Sequence, residues 1–193
     1  MIFCGMALAP GRKVRVPLPV PGAQPLETLC LCGAAPGRTL VVTAGVHGCE
    51  YVGVQALRRL AVELDPAELS GNVILLPLAN PTGFYAGAKQ VVPEDGVNLN
   101  RAFPGDPAGT LSARLAYALE TALYQAADFL ADLHSGDCNE ALYPLVPHSG
   151  DGGGEPGRPD GRPGADSALP GPLHRPKRPL QLGRAEKHSR AAH

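Results

Sequence analysis

The chain has 193 residues, 44% of them hydrophobic, enough to bury the core of one ordinary domain. Its 17 Lys or Arg against 18 Asp or Glu give no whole-chain argument for binding nucleic acid or an anionic membrane. No apolar run approaches the ~20 residues of a membrane helix, and Arg12, Lys13 and Arg15 follow the apolar start instead of preceding it, so no secretory signal is expected and the chain reads as cytoplasmic.

The first clear elements are strands over Thr28–Cys32 and residues 38–44, the second a β-branched run entered from the turn signal Pro36-Gly37. Cys30 and Cys32 are read as facing opposite sides of the first strand. Their spacing is not that of a zinc knuckle, and the scattered set Cys4, Cys30, Cys32, Cys49 and Cys138 fits reduced thiols. Val54, Leu57, Leu60, Ala61 and Leu64 then fall at helical spacing, and Asp65-Pro66 ends the helix. Asn72 to Leu78 reads as a buried strand closed by Asn80-Pro81. Gly109-Thr110 opens a helix carrying Leu111, Leu115, Leu119 and Leu123, and Asp128 to Leu133 reads as a further core strand. Strands separated by helices predict an α/β domain with a mixed, largely parallel sheet flanked by helices.

The composition changes after Val146. No Ile, Val, Phe, Tyr, Trp or Met follows, and Gly, Pro, Arg, Ala and His dominate. Such text buries too little apolar surface to offset the entropy of ordering, so residues 148–193 are expected to be a low-complexity, disordered tail separate from residues 1–147. Residues 152–193 hold eight Lys or Arg against four Asp or Glu but no aromatic residue to stack on a base, so a solvated tail is favoured over a nucleic-acid site.

Three segments carry chemistry. Gly45-Val46-His47-Gly48-Cys49-Glu50 sits between a strand and a helix, where ligands collect in open α/β sheets. His47 and Glu50 are three apart, and where a turn becomes helix that spacing can bring both side chains to one point. Asp132-Leu133-His134-Ser135-Gly136, after another apolar strand, adds a second histidine, with Asp132 available to orient it. Two His and one Glu form a known catalytic zinc set with a fourth position open. Asp95-Gly96-Val97-Asn98-Leu99-Asn100-Arg101 lies between them, and an Arg beside an Asn can clamp a carboxylate and polarise a carbonyl. Taken singly, a His before a helix or an Asn-Arg pair is commonly structural; the three together are specific.

GVHGCEYVG at 45–53, PLANP at 77–81, DGVNLNRAFPGD at 95–106 and DLHSGD at 132–137 make the chain resemble the succinylglutamate desuccinylase/aspartoacylase family of zinc carboxypeptidase-like hydrolases, over roughly residues 10–147. The resemblance implies a mixed α/β domain holding one zinc through His47, Glu50 and His134. It implies a small-molecule carboxylate substrate, with Asn100 and Arg101 matching the family's substrate-carboxylate pair and Arg101 also serving catalysis. Neither nucleic acid nor membrane is expected as a partner. Lys89 stands where the family often has an Arg; it keeps the charge and loses the bidentate fork. The implied reaction is zinc-dependent deacylation, cleaving an amide or ester bond of an N-acyl amino acid or similar carboxylate. Family members continue past DLHSG with more sheet, a general-base Glu and a small β domain. Glu140, Glu155 and Glu186 match no such context here. The expectation is therefore a chain truncated or frameshifted after about residue 147, which also admits the alternative of a zinc-binding but catalytically impaired fragment or pseudoenzyme. The 24 Gly and 21 Pro fit a GC-rich gene read in a shifted frame.

Overall fold

The computed structural model describes residues 1–138 and residue 140. The boundary expected at 147/148, the tail, Glu155 and Glu186 lie outside the described residues.

A short hairpin, β1 (Ile2–Phe3) and β2 (Met6–Ala7), precedes the main sheet. That sheet is built from β3 (Arg12–Leu18), β4 (Leu26–Cys32), β5 (Ala35–Ala44), β6 (Ser70–Leu76) and β9 (Phe129–Leu133), in the order β3-β4-β6-β5-β9. β3–β4 and β4–β6 pair antiparallel, while β5 pairs parallel with both β6 and β9. The expected mixed sheet flanked by helices is what forms. A second hairpin, β7 (Val91–Val92) with β8 (Val97–Asn98), stands apart from it. Among the described residues no helix is long and apolar enough to cross a membrane.

The helices cover opposite faces of the sheet. α1 (Tyr51–Glu63) lays Val54 and Leu57 on Leu31, Val42, Ala44 and Leu75. α3 (Leu111–Ala118) lays Leu115 on the other face, with Cys30, Val41, Ile74 and Leu76. Each fully buried Leu contributes about 1.5–3 kcal/mol. Cys30 and Cys32, expected on opposite faces, share the α3 side, with Leu31 on the α1 side. Residues two apart in a strand point the same way, so the expectation misapplied the period.

The four-residue steps from Leu111 to Leu123 do not make one helix. α3 gives way to a wide π turn over Leu119–Leu123 and a 3-10 turn over Tyr124–Ala126, yet Leu119 and Leu123 stay buried. β3 was not expected from the sequence, and Pro17 inside it is tolerated because β3 is an edge strand. α2 (Pro81–Ala86) begins where a strand-ending turn was read. Asn80 is its N-cap, accepting from the Gly83 N–H at 2.9 Å, and Pro81 follows at the first helical position.

Candidate metal centre

The parallel pairing of β5 with β9 builds the site. Ala44 sits opposite Leu133 in register, so the segments that follow both strands leave the sheet side by side. Gly45–Glu50 emerges from β5 and His134–Gly136 from β9, at the carboxyl ends of the strands. Residues 84 positions apart thereby meet: His134 Nδ1 lies 2.7 Å from Glu50 Oε2. His47 Nδ1 lies 2.6 Å from the other oxygen, Oε1. The Ser135 backbone N–H also donates to Glu50 Oε2, at 3.1 Å. One potential ligand atom from each of His47, Glu50 and His134 lies within 4.8 Å of the other two.

The outer nitrogens of both rings have acceptors. His134 Nε2 is 2.9 Å from Asp132 Oδ2, and His47 Nε2 is 3.3 Å from Asn98 Oδ1. A histidine that offers Nδ1 to a cation must carry its proton on Nε2, and an acceptor at Nε2 fixes that tautomer. Both rings turn Nδ1 toward one shared carboxylate; on binding a divalent cation each would give up its Nδ1 proton and keep Nε2–H, which Asp132 supports at His134. The donor set and its supports fit a zinc ion.

Electrostatics concentrate on the same three side chains. Burial opposes a charged Glu50, but hydrogen bonds to His134 and His47, and their charge, outweigh it and hold the carboxyl at about 2. Burial also opposes a charged His134, yet hydrogen bonds to Asp132 and Glu50 push it up to about 10. Glu50 is the N-cap position of α1 but makes no side-chain cap, since its carboxylate serves the histidines. In the metal-free chain the raised His134 contributes stability that is complete below its ordinary 6.5 and lost as pH climbs to about 10. The depressed Glu50 contributes stability present above 4.5 and lost as pH falls to about 2. Thermal melts in chelator should therefore show Tm declining from pH 6.5 to 10, and His134→Gln should flatten that decline. Equal slopes in the two proteins would mean that His134 is uncharged there.

Asn80 and Gly48 shape the loop that carries His47. Asn80 is buried, and its Nδ2 donates to the carbonyls of Val46 at 3.3 Å and Val91 at 3.2 Å, which ties the His47 loop to β7. An added Cβ at Gly48 would collide with the Gly83 carbonyl, so only Gly lets the loop lie on the start of α2.

The third segment is anchored by Asp95. Its carboxylate accepts from the Ser112 N–H at 2.9 Å and the Ser112 hydroxyl at 2.7 Å. Burial opposes its charge, but these bonds hold it below the usual carboxylate range. Asn100 reaches the centre, with Nδ2 3.4 Å from His47 Nε2. Arg101 is exposed at the end of a 3-10 turn, Leu99–Arg101, with no hydrogen bond or ion pair among the described residues. Lys89 is paired outside the His-Glu-His group, 3.2 Å from Asp137 and 3.8 Å from Glu140. Asn98 and Asn80 escaped the sequence reading. The signal for Asn98 was present in Asn98-Leu99-Asn100, where burial of Leu99 leaves its polar neighbours to face the site.

A family model described as the succinylglutamate desuccinylase/aspartoacylase catalytic domain matches residues 36–150, more than half of the chain. An N-alpha-acetyl-L-2,4-diaminobutyric acid deacetylase from Halomonas elongata is 41% identical over 110 residues, which are 57% of this chain and 32% of that protein. A crystal structure of an aspartoacylase family protein from Mesorhizobium loti aligns with a TM-score of 0.58 at 34% identity, covering 66% of this chain and 41% of that one. A candidate metallopeptidase from Shewanella amazonensis aligns with a TM-score of 0.51 at 30% identity, covering 64% of this chain and 49% of that one. The chain thus spans about a third of the curated relative's length and less than half of either structure.

Proposed function

The chain belongs to the succinylglutamate desuccinylase/aspartoacylase family, and from that premise we propose that it is a zinc-dependent deacylase acting on an N-acyl amino acid or a similar carboxylate. The observation that carries this reading is the convergence of His47 Nδ1 and His134 Nδ1 on the Glu50 carboxylate, at 2.6 and 2.7 Å. His47, Glu50 and His134 would hold the ion. Zinc supplies Lewis-acid chemistry, polarising a carbonyl and making water more acidic.

The chain's own residues do the rest of the positioning. Asp132 and Asn98 hold the two rings by their outer nitrogens. Arg101, exposed and without a hydrogen bond or ion pair among the described residues, offers its guanidinium to a substrate carboxylate, with Asn100 beside it. Lys89 adds positive charge, partly spent on Asp137. The products would be a free amine and a carboxylate. All five cysteines are free, which fits the reducing cytoplasm.

Arg101→Ala should weaken a carboxylate-bearing inhibitor roughly tenfold or more, the scale of a charge-assisted hydrogen bond, and its neutral amide analogue far less. Equal weakening of both, in an inhibition assay, would make Arg101 structural.

A second reading is a chain that binds zinc but hydrolyses poorly. Among the described residues, no carboxylate other than Glu50 and Asp132 makes a hydrogen bond to the two histidines, and both of these are engaged in holding them. Amine release from N-acetyl and N-succinyl amino acids, N-alpha-acetyl-L-2,4-diaminobutyrate included, separates the two. Chelator-sensitive turnover supports the deacylase; zinc bound without turnover supports the impaired chain.

A further inference from the structure

We propose that Thr43 is a positioning residue for His134, acting through Asp132. The proposal rests on the reading of His134 as a zinc ligand, and it adds a third tier of residues to that reading.

Thr43 is fully buried, one residue before the end of β5. Its register partner across the parallel pairing is Asp132, one residue before the end of β9. The Thr43 hydroxyl donates to Asp132 Oδ1 at 2.7 Å. The other oxygen, Oδ2, faces His134 Nε2 at 2.9 Å, and the far side of that ring, Nδ1, faces Glu50 at 2.7 Å. A single line of hydrogen bonds therefore runs from the inside of the sheet to the candidate centre. A buried threonine in a strand can satisfy its hydroxyl at any nearby backbone carbonyl. Here the hydroxyl crosses to a carboxylate, and a neutral donor aimed at a charged acceptor makes one of the stronger hydrogen bonds.

The physical consequence is restriction. The side chain of Asp132 is a quarter exposed and sits near the end of an edge strand, where nothing else among the described hydrogen bonds grips Oδ1. With Thr43 in place, one oxygen is pinned and the carboxylate plane points the second at the imidazole. Without it, Asp132 is free to turn toward water, and the ring loses the acceptor that selects its tautomer. Tyr124, half-buried in the same core, hydrogen-bonds with Thr43 and lies close to Asp132, so the inner side of the contact is protein and not open solvent.

Thr43→Val keeps the shape and removes the donor; Thr43→Ser keeps the donor and removes a methyl. Zinc affinity by competition with a chromogenic chelator should fall about tenfold in Thr43→Val, the low end of the 10–100-fold effect of residues behind metal ligands. Thr43→Ser should stay within about twofold to threefold of the parent. Equal affinity in Thr43→Val and the parent would overturn the proposal. Equal loss in both variants, tracking a lowered Tm, would also overturn it, because packing would then be the cause. Should the parent itself bind no zinc, the metal reading fails, and nitrogen-15 spectra of the His134 ring in the metal-free protein decide the matter. A His134 Nε2–H signal lost only in Thr43→Val sustains the positioning role; the same signal in all three proteins refutes it.

Discussion

His47→Ala and Glu50→Gln are each expected to weaken zinc binding by a factor on the order of 100 or more, and to abolish any metal-dependent hydrolysis with it. A four-ligand structural zinc site is worth about 10–16 kcal/mol, so one ligand stands for roughly 3 kcal/mol, which is about two powers of ten in affinity. Glu50→Gln is the more informative of the two. It keeps the size of the side chain and removes the charge that both histidines face at 2.6 and 2.7 Å. The fold should survive, because Glu50 provides no side-chain cap to α1 and therefore none is lost. Chelator competition with a parallel melt in the absence of zinc separates the two effects. Unchanged affinity in either variant would remove that residue from the centre.

Gly48→Ala should cost about 1–3 kcal/mol of stability, as overpacking in a full interior does, and should weaken zinc binding as well. The methyl group would meet the carbonyl of Gly83 and, at 2.7 Å, the carbonyl oxygen of Ala88. These are backbone atoms, so no rotamer change relieves the collision. Either the start of α2 moves away or the loop carrying His47 and Glu50 lifts off it. Urea denaturation of the metal-free protein measures the first quantity and chelator competition the second. A variant as stable as its parent would mean that the loop can move without cost.

The sequence carried the site better than the fold's margins. His47, Glu50 and His134 stand in three-to-five-residue contexts rich in Gly, next to strands with clear β-branched runs, and the structure brings all three together. Asn100, expected to bind the substrate carboxylate, lies 3.4 Å from His47 Nε2, whereas Lys89 is drawn to Asp137 and Arg101 stays exposed. What was missed depended on pairing across the chain. Thr43 reads as one more β-branched residue until β9 sets Asp132 opposite it. Asn80-Pro81 reads as the end of a strand, since a turn and a helix N-terminus share the same residues. β3 was missed although Val14 and Val16 alternate with Lys13 and Arg15, because Pro17 in the run argues against a strand unless it lies at a sheet edge. The break from α3 into a π turn is invisible to a count of leucines, because Leu119 and Leu123 are buried either way.

In the proposed deacylase one zinc ion sits among His47, Glu50 and His134. X-ray diffraction from zinc-soaked crystals, recorded on both sides of the zinc absorption edge, tests it most directly. One anomalous peak per chain is expected, about 2.0–2.2 Å from Nδ1 of each histidine and from a Glu50 oxygen. No peak among these three side chains, or a peak held instead by other residues such as Cys49 and Cys138, would contradict it.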